Sequence, residues 1–213
     1  MIALVLSDVH GDLRSLRAAK RLIHGIGADV VLLLGDITNM GEAEQAREAI
    51  KQLGPAKVLG FAGNWELPSV QEELERQGIS LHAKKKKIGK YTFIGFGGGL
   101  HENPGRFLFS EQEIKEALGG LLEGEKNAVL LTHLPPLGTA LDLARSGRHI
   151  GSAAVREAIE KNQPLLHLCG HCHEGAGAEK IGKTASINVG SAKEGNALLL
   201  EFNGKLKWRK AKL

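Results

Sequence analysis

The chain has 213 residues, 42% of them hydrophobic, enough to bury a sizeable core as one domain covering residues 1–213. Its 28 Lys and Arg stand against 24 Asp and Glu, for a formal charge of +4; this mild excess suits an anionic substrate and falls short of a dedicated nucleic-acid clamp. A content of 28 glycines with only 4% aromatics favours many tight strand-to-loop turns, hence an α/β architecture rather than a helical bundle.

In chain order, the apolar run Ile2–Leu6 reads as a buried strand. Ser7 and Asp8 cut it short, and it lacks the basic lead and the length of a secretion signal or membrane span, so a cytoplasmic chain with no membrane partner is expected. Leu13, Leu16, Leu22 and Ile23 recur at helical spacing up to Gly25, Val30–Leu34 forms a second buried run, and Ala43, Ala46, Ile50 and Leu53 mark a second helix. Gly54-Pro55 stops that helix, 57–62 gives a third strand, and Pro68 opens a short helix ending near Gly78. Such alternation is the pattern of parallel β-α-β units.

The second half has a different grain. Hairpin signals at Gly89-Lys90 and at Asn203-Gly204, the latter between 197–202 and 205–209, predict antiparallel pairs. Ser110 followed by Glu113 reads as a capping box, 128–131 and 165–168 as strands, and a helix should follow Ser152. No repeat, low-complexity linker or boundary interrupts the chain, so one domain with a mixed sheet, or two, is expected.

Five apolar runs each end in a residue able to bind a metal: Asp8 with His10, Asp36, Asn64, His133, and His171 with His173. If those strands are neighbours, their carboxyl ends converge on one crevice. Gly35, Gly63 and Gly170 directly precede Asp36, Asn64 and His171, where a sharp turn would aim the next side chain inward. Imidazole and oxygen donors together suit a pair of Mn, Fe, Ni or Zn ions better than Ca or Mg. Asp36 is the natural bridge, since a carboxylate coordinates through both oxygens. Two such ions outweigh Asp8, Asp36 and a bridging hydroxide, leaving a net positive site suited to phosphate.

The series Asp8-Val9-His10, Gly35-Asp36, Gly63-Asn64-Trp65-Glu66, Thr132-His133 and Gly170-His171-Cys172-His173 resembles, in order and spacing, the calcineurin-like metallophosphoesterases. Ile37-Thr38 and the segment 188–191 look like the archaeal and bacterial branch of small phosphoesterases. The resemblance implies an α/β/β/α sandwich of two mixed β-sheets flanked by helices, with two divalent metals at one end, Mn²⁺ first among the candidates. It places Asp8, His10, Asp36 and His173 around one metal and Asp36, Asn64, His133 and His171 around the other, with Asn64 and His133 assisting catalysis. The nucleophile implied is a metal-bridging hydroxide, and the substrate a small-molecule phosphate ester.

One position departs from the family, whose third motif usually carries a histidine after the asparagine. Trp65 stands there, and an indole cannot deliver a proton near neutral pH. Diesters, or esters with good leaving groups, are therefore expected ahead of monoesters. His149, behind Arg145 and Arg148, and His101 with Arg106, behind the glycine-rich 95–99, are candidate substrate contacts.

Other signals carry less. Residues 95–99 do not complete a dinucleotide-binding glycine pattern, and no phosphate-loop lysine motif occurs. Cys169 and Cys172 have no second cysteine pair and read as free thiols. The lysine run 84–87 reads as a solvated edge, leaving nucleic-acid contact weakly supported. A metal-dependent nuclease and a noncatalytic scaffold with the same fold are the alternatives, the nuclease being disfavoured by the scarcity of aromatics for base stacking.

Overall fold

Strands buried on both faces need unbroken apolar sequence, and three such runs lead the first half of the chain. The structure, a computed structural model, describes residues 1–202 and 204–213; the expected turn residue Asn203 lies outside them. In chain order the first elements are β1 (Ile2–Leu6), α1 (Leu13–Ile26), β2 (Val30–Leu34), α2 (Ala43–Gln52), β3 (Lys57–Phe61) and α3 (Pro68–Arg76). There follow β4 (Lys84–Ile88), β5 (Tyr91–Phe96), β6 (Gly99–Leu100), β7 (Leu108–Phe109), α4 (Glu111–Leu122), β8 (Ala128–Thr132) and α5 (Ala153–Asn162). The last are β9 (Leu166–Cys169), β10 (Gly177–Ile181), β11 (Thr184–Asn188), β12 (Asn196–Glu201) and β13 (Lys207–Lys212).

One sheet has the order β13-β12-β1-β2-β3 and the other β10-β11-β9-β8-β5-β4, with β6 and β7 forming a small separate pair. Both large sheets are mixed: β1, β2 and β3 run parallel, as do β5, β8, β9 and β11, while β12, β13, β4 and β10 add antiparallel. The sheets face each other across a core that includes Val5, Leu32, Leu34 and Phe61 from one and Phe93, Val129, Leu131 and Leu168 from the other. The outer face of the first sheet packs Leu4, Leu6 and Leu33 on Leu16 and Ile23 of α1 and Ile50 of α2. That of the second packs Ile94 and Leu130 on Ile114 and Leu118 of α4 and Val155 and Ile159 of α5. The layers are therefore helix, sheet, sheet, helix, as the resemblance implied.

Several boundaries differ from expectation for identifiable reasons. α1 continues past Gly25 and stops at Gly27, whose φ of 60° makes the left-handed cap. The lysine run 84–87 is itself an edge strand paired to β5, its charges guarding the free edge. The β10–β11 hairpin was not apparent because β10 alternates exposed and half-buried residues and so lacks an apolar run.

Candidate metal centre

The parallel strands of both sheets point their carboxyl ends at one edge of the sandwich. Asp8 follows β1, Asp36 follows β2, Asn64 follows β3, His133 follows β8, and His171 and His173 follow β9. The backbone there is strained: Asp8, His10, Asp36 and His171 have φ of 53°, 48°, 50° and 66°. Non-glycine residues seldom adopt this left-handed region, and such strain concentrates at functional sites.

The structure brings all seven residues together. Asp36 turns its two oxygens to opposite sides, Oδ1 lying 3.6 Å from His133 Nε2 and Oδ2 3.7 Å from His10 Nε2. Asp8 Oδ1 lies 3.4 Å from His173 Nε2, and Asn64 Oδ1 lies 2.9 Å from His133 Nε2 and 3.0 Å from His171 Nδ1. Among the described residues, two groups have ligand atoms mutually within 4.8 Å, Asp8-His10-His173 and Asp8-Asp36-His133. Asp8 is common to both groups, and Asp36, the bridge expected from the sequence, faces His10 through one oxygen and His133 through the other.

Whether cations fit is answered by hydrogen bonds left unmade. Among the described residues, the buried side-chain polar atoms with no hydrogen-bond partner are Asp8 Oδ1 and His171 Nε2; Asp8 Oδ1 keeps the 3.4 Å ion contact with His173 Nε2. Unsatisfied buried groups of this kind cost roughly 1–3 kcal/mol each, and Asp8 belongs to both candidate ligand groups, an arrangement that a divalent ion would complete. His171 has its pKa lowered to about 4 by burial, leaving a neutral ring with an open lone pair. For His133, burial is outweighed chiefly by Asp36, and its pKa rises to about 9. Its partners, Leu34 O at 2.7 Å and Asn64 Oδ1, are both acceptors, so in the metal-free protein the ring donates twice and supplies a positive charge. Burial likewise opposes the Asp8 carboxylate, but the His173 and His133 rings overcome it and hold its pKa well below the usual range.

The frame around these residues is tightly specified. Of the three glycines beside them, only Gly35 has a positive φ, 92°, and its Cβ would fall 2.6 Å from His133 Nδ1. At Gly63 and Gly170 the need is for closeness instead, since a Cβ would overlap Asp36 Oδ1 or Ser7 Oγ respectively. Buried Glu66 ties two loops together, accepting from Asp36 N, Thr38 N, Thr38 Oγ1 and Gly63 N at 2.9, 2.8, 3.1 and 2.6 Å. Sequence reasoning missed that role, although the residue stands three places after Gly63 in a recognised motif. Ser191 Oγ donates to Asp8 O at 2.9 Å, and Asn188 Nδ2 donates to Cys172 O at 2.7 Å, so the segment 188–191 braces two sides of the centre. Asn64 Nδ2 donates to Pro104 O at 2.7 Å, which turns Oδ1 toward the histidines.

Trp65 is half-buried and gives its backbone N–H to Asp36 Oδ1 at 3.0 Å. Of the three candidate substrate contacts, Arg106 lies on the loop that wraps Asn64, donating its backbone N–H to Asn64 O at 2.8 Å. His149 pairs through Nδ1 with buried Asp142 at 2.8 Å, and exposed His101 lies 3.9 Å from Glu113.

Residues 1–175 match the family model described as calcineurin-like phosphoesterase. The protein MJ1162 of Methanocaldococcus jannaschii is 31% identical over 215 residues, covering 93% of this chain and 95% of that one. Among solved structures, TT1561 of Thermus thermophilus superposes with a TM-score of 0.78 at 19% identity, over 99% of this chain and 98% of that one. A dimetal phosphatase from Danio rerio superposes with a TM-score of 0.73 at 14% identity, over 100% of this chain and 96% of that one. The two structural likenesses extend over nearly the whole chain and are likenesses of fold. The chain belongs to the calcineurin-like phosphoesterase family and is a metal-dependent hydrolase.

Proposed function

We propose that the protein, acting as one domain over residues 1–213, hydrolyses small phosphate esters, diesters ahead of monoesters, with two divalent cations, Mn²⁺ first among them. Asp8, His10, Asp36 and His173 hold one cation, and Asp36, Asn64, His133 and His171 the other. The observation that carries this reading is the orphaned Asp8 Oδ1 within two groups of candidate ligands, beside His171, whose Nδ1 meets Asn64 Oδ1 and whose Nε2 has no partner. When bound, the cations supply Lewis-acid polarisation of the phosphoryl oxygens and acidify the attacking water.

The remaining chemistry belongs to the chain. His133 keeps Nδ1–H on Leu34 O, the carbonyl contact that orients a ligating imidazole with Nε2 toward Asn64 and Asp36. Asn64, held by Pro104 O, presents an oxygen rather than an amide N–H to the centre. A side-chain nucleophile is disfavoured: Ser7 is fully buried and donates to Leu34 O, while burial raises the Cys169 and Cys172 thiols. Trp65 gives position 65 no proton to deliver, so esters with good leaving groups, diesters among them, are favoured. Arg106, with His149 and His101, is proposed to meet the substrate outside the cations.

The test is metal analysis of the purified chain together with turnover of bis-aryl and mono-aryl phosphates. About two divalent ions per chain with faster diester turnover is expected. Metal-loaded protein with no turnover would instead favour a scaffold.

A further inference from the structure

A cavity of about 550 Å³ opens beside the candidate metal centre, lined among others by His10, Leu13, Met40, Gln45, Ala49 and Gln52. It lies between the β1–α1 turn, the β2–α2 turn and the flank of α2, and its size is that of a small-molecule site. His10 belongs to both places: the ring that lines the cavity has Nε2 3.7 Å from Asp36 Oδ2. A substrate with its phosphorus at the metals would therefore pass one arm over His10 directly into this space.

Two large apolar side chains stand at its mouth with no core to fill, Leu13 at 53% and Met40 at 43% exposure. Met40 is held at a φ of 59°, a left-handed conformation that methionine rarely adopts and that is strained. The two turns are fixed to each other, since His10 N donates to Asp36 O at 2.8 Å and Gly11 N to Ile37 O at 2.9 Å. Thr38 N is anchored on Glu66 at 2.8 Å. The cavity is thus built in advance.

Its lining also selects by charge. Among the described residues, no Lys or Arg lines it and Glu48 does, so a second phosphate is unwelcome. Leu13, Leu16, Met40 and Ala49 offer apolar surface, and the amides of Asn39, Gln45 and Gln52 offer hydrogen bonds. A methionine thioether is well suited to an aromatic ring. Resting on the phosphoester-hydrolase reading above, we infer that this cavity is the subsite for one organic arm of the ester, an uncharged aromatic or heteroaromatic alcohol. Leu13 and Met40 set specificity for that arm.

The experiment uses the full chain loaded with Mn²⁺. Bis(4-nitrophenyl) phosphate and methyl 4-nitrophenyl phosphate share a leaving group and differ in the other arm. The ratio of their kcat/KM values is expected to fall about tenfold in Leu13→Ser/Met40→Ser, the scale for losing apolar pocket contacts, and to recover in Met40→Leu with Leu13 intact. A second measurement needs no turnover and no variant. The chain has two methionines, so the ¹³C-methyl signal of Met40 is followed as the non-hydrolysable 2-naphthylmethylphosphonate is added, with inorganic phosphate as control. An upfield shift with the naphthyl compound alone is expected. If Met40 does not respond and the ratio holds while both esters turn over, the subsite is refuted and the hydrolase reading survives. If Met40 responds but neither ester is cleaved, the hydrolase reading fails and the subsite stands. A double variant that turns a dimer into a monomer in sedimentation without changing the ratio would make this face an interface between copies, overturning the inference.

Discussion

His167 within β9 and His171 just past its end stand four residues apart, and burial lowers the pKa of both, to about 3 and about 4. Their surroundings differ in kind. In the middle of the second sheet, His167 Nε2 meets Thr132 Oγ1 at 2.8 Å and Nδ1 meets Ser186 Oγ at 2.7 Å. Thr132 spends its own hydrogen on Leu134 O, so Nε2 carries the proton and Ser186 donates to Nδ1. Nothing is left over. At the carboxyl edge, His171 gives Nδ1 to Asn64 Oδ1 and leaves Nε2 with no partner. A depressed pKa alone does not separate these two histidines; the nitrogen left without a partner does.

The largest expected effects would break that distinction if they failed. Asp36→Asn removes the charge between His10 and His133 and is expected to lower aryl-phosphate turnover by at least about 10³-fold, the scale of losing preorganised electrostatics. It should also reduce bound metal and abolish the rise in Tm that Mn²⁺ gives the wild type. A cation at a hundred times its Kd stabilises by about 2.7 kcal/mol, and His167→Gln should keep that rise. Equal Mn²⁺ responses in the two variants would mean that the carboxyl edge is no different from the sheet interior.

Trp65→His comes next. A titratable donor restored beside the centre is expected to raise monoester relative to diester turnover by about 10²-fold, the lower end of general-acid assistance. Paired aryl substrates measure the ratio directly, and an unchanged ratio removes any role for position 65 in leaving-group protonation. Glu66→Gln is expected to weaken metal binding by about 10- to 100-fold, as losses in the supporting shell do. The amide NH₂ must confront at least one of the four donors now met by carboxylate oxygens. Calorimetric titration with Mn²⁺ gives the affinity, and a wild-type value would show that Glu66 does not hold Asp36 in place.

Much of the fold was legible because β1 and β2 are unbroken apolar runs and β3 and β8 are mostly apolar, each followed by a polar residue at its carboxyl end. The candidate ligands were legible for the same reason. Glu66 was not, since a buried acid that knits two loops has the same letter as a solvated one, and its partners are 28 to 30 residues away except for Gly63. The need for Gly63 and Gly170 was visible but its cause was misread: both avoid a collision with a neighbouring strand end rather than supply a left-handed turn. Met40 gave no signal at all, because a left-handed methionine is a property of the loop around it. Gly27 rather than Gly25 ends α1, a choice set by which glycine reaches the left-handed cap.

The smallest effect tests the sheet interior by itself. His167 is a neutral imidazole in the fold, with its pKa lowered from 6.5 to about 3 by burial. Its contribution to stability is therefore complete above pH 6.5 and is lost as pH falls toward 3, with a limiting slope of about 1.4 kcal/mol per pH unit. His167→Gln removes the titration while offering one donor and one acceptor to Thr132 and Ser186. It is expected to cost about 1–3 kcal/mol at neutral pH from imperfect pairing and to flatten the decline between pH 6 and pH 4. Denaturant unfolding of the metal-free wild type and variant across that range isolates the effect, since both proteins keep the same carboxyl-edge histidines and their difference cancels them. Parallel curves would mean that the acid lability of the chain resides wholly at the carboxyl edge, and that Thr132 and Ser186 serve His167 only as neighbours.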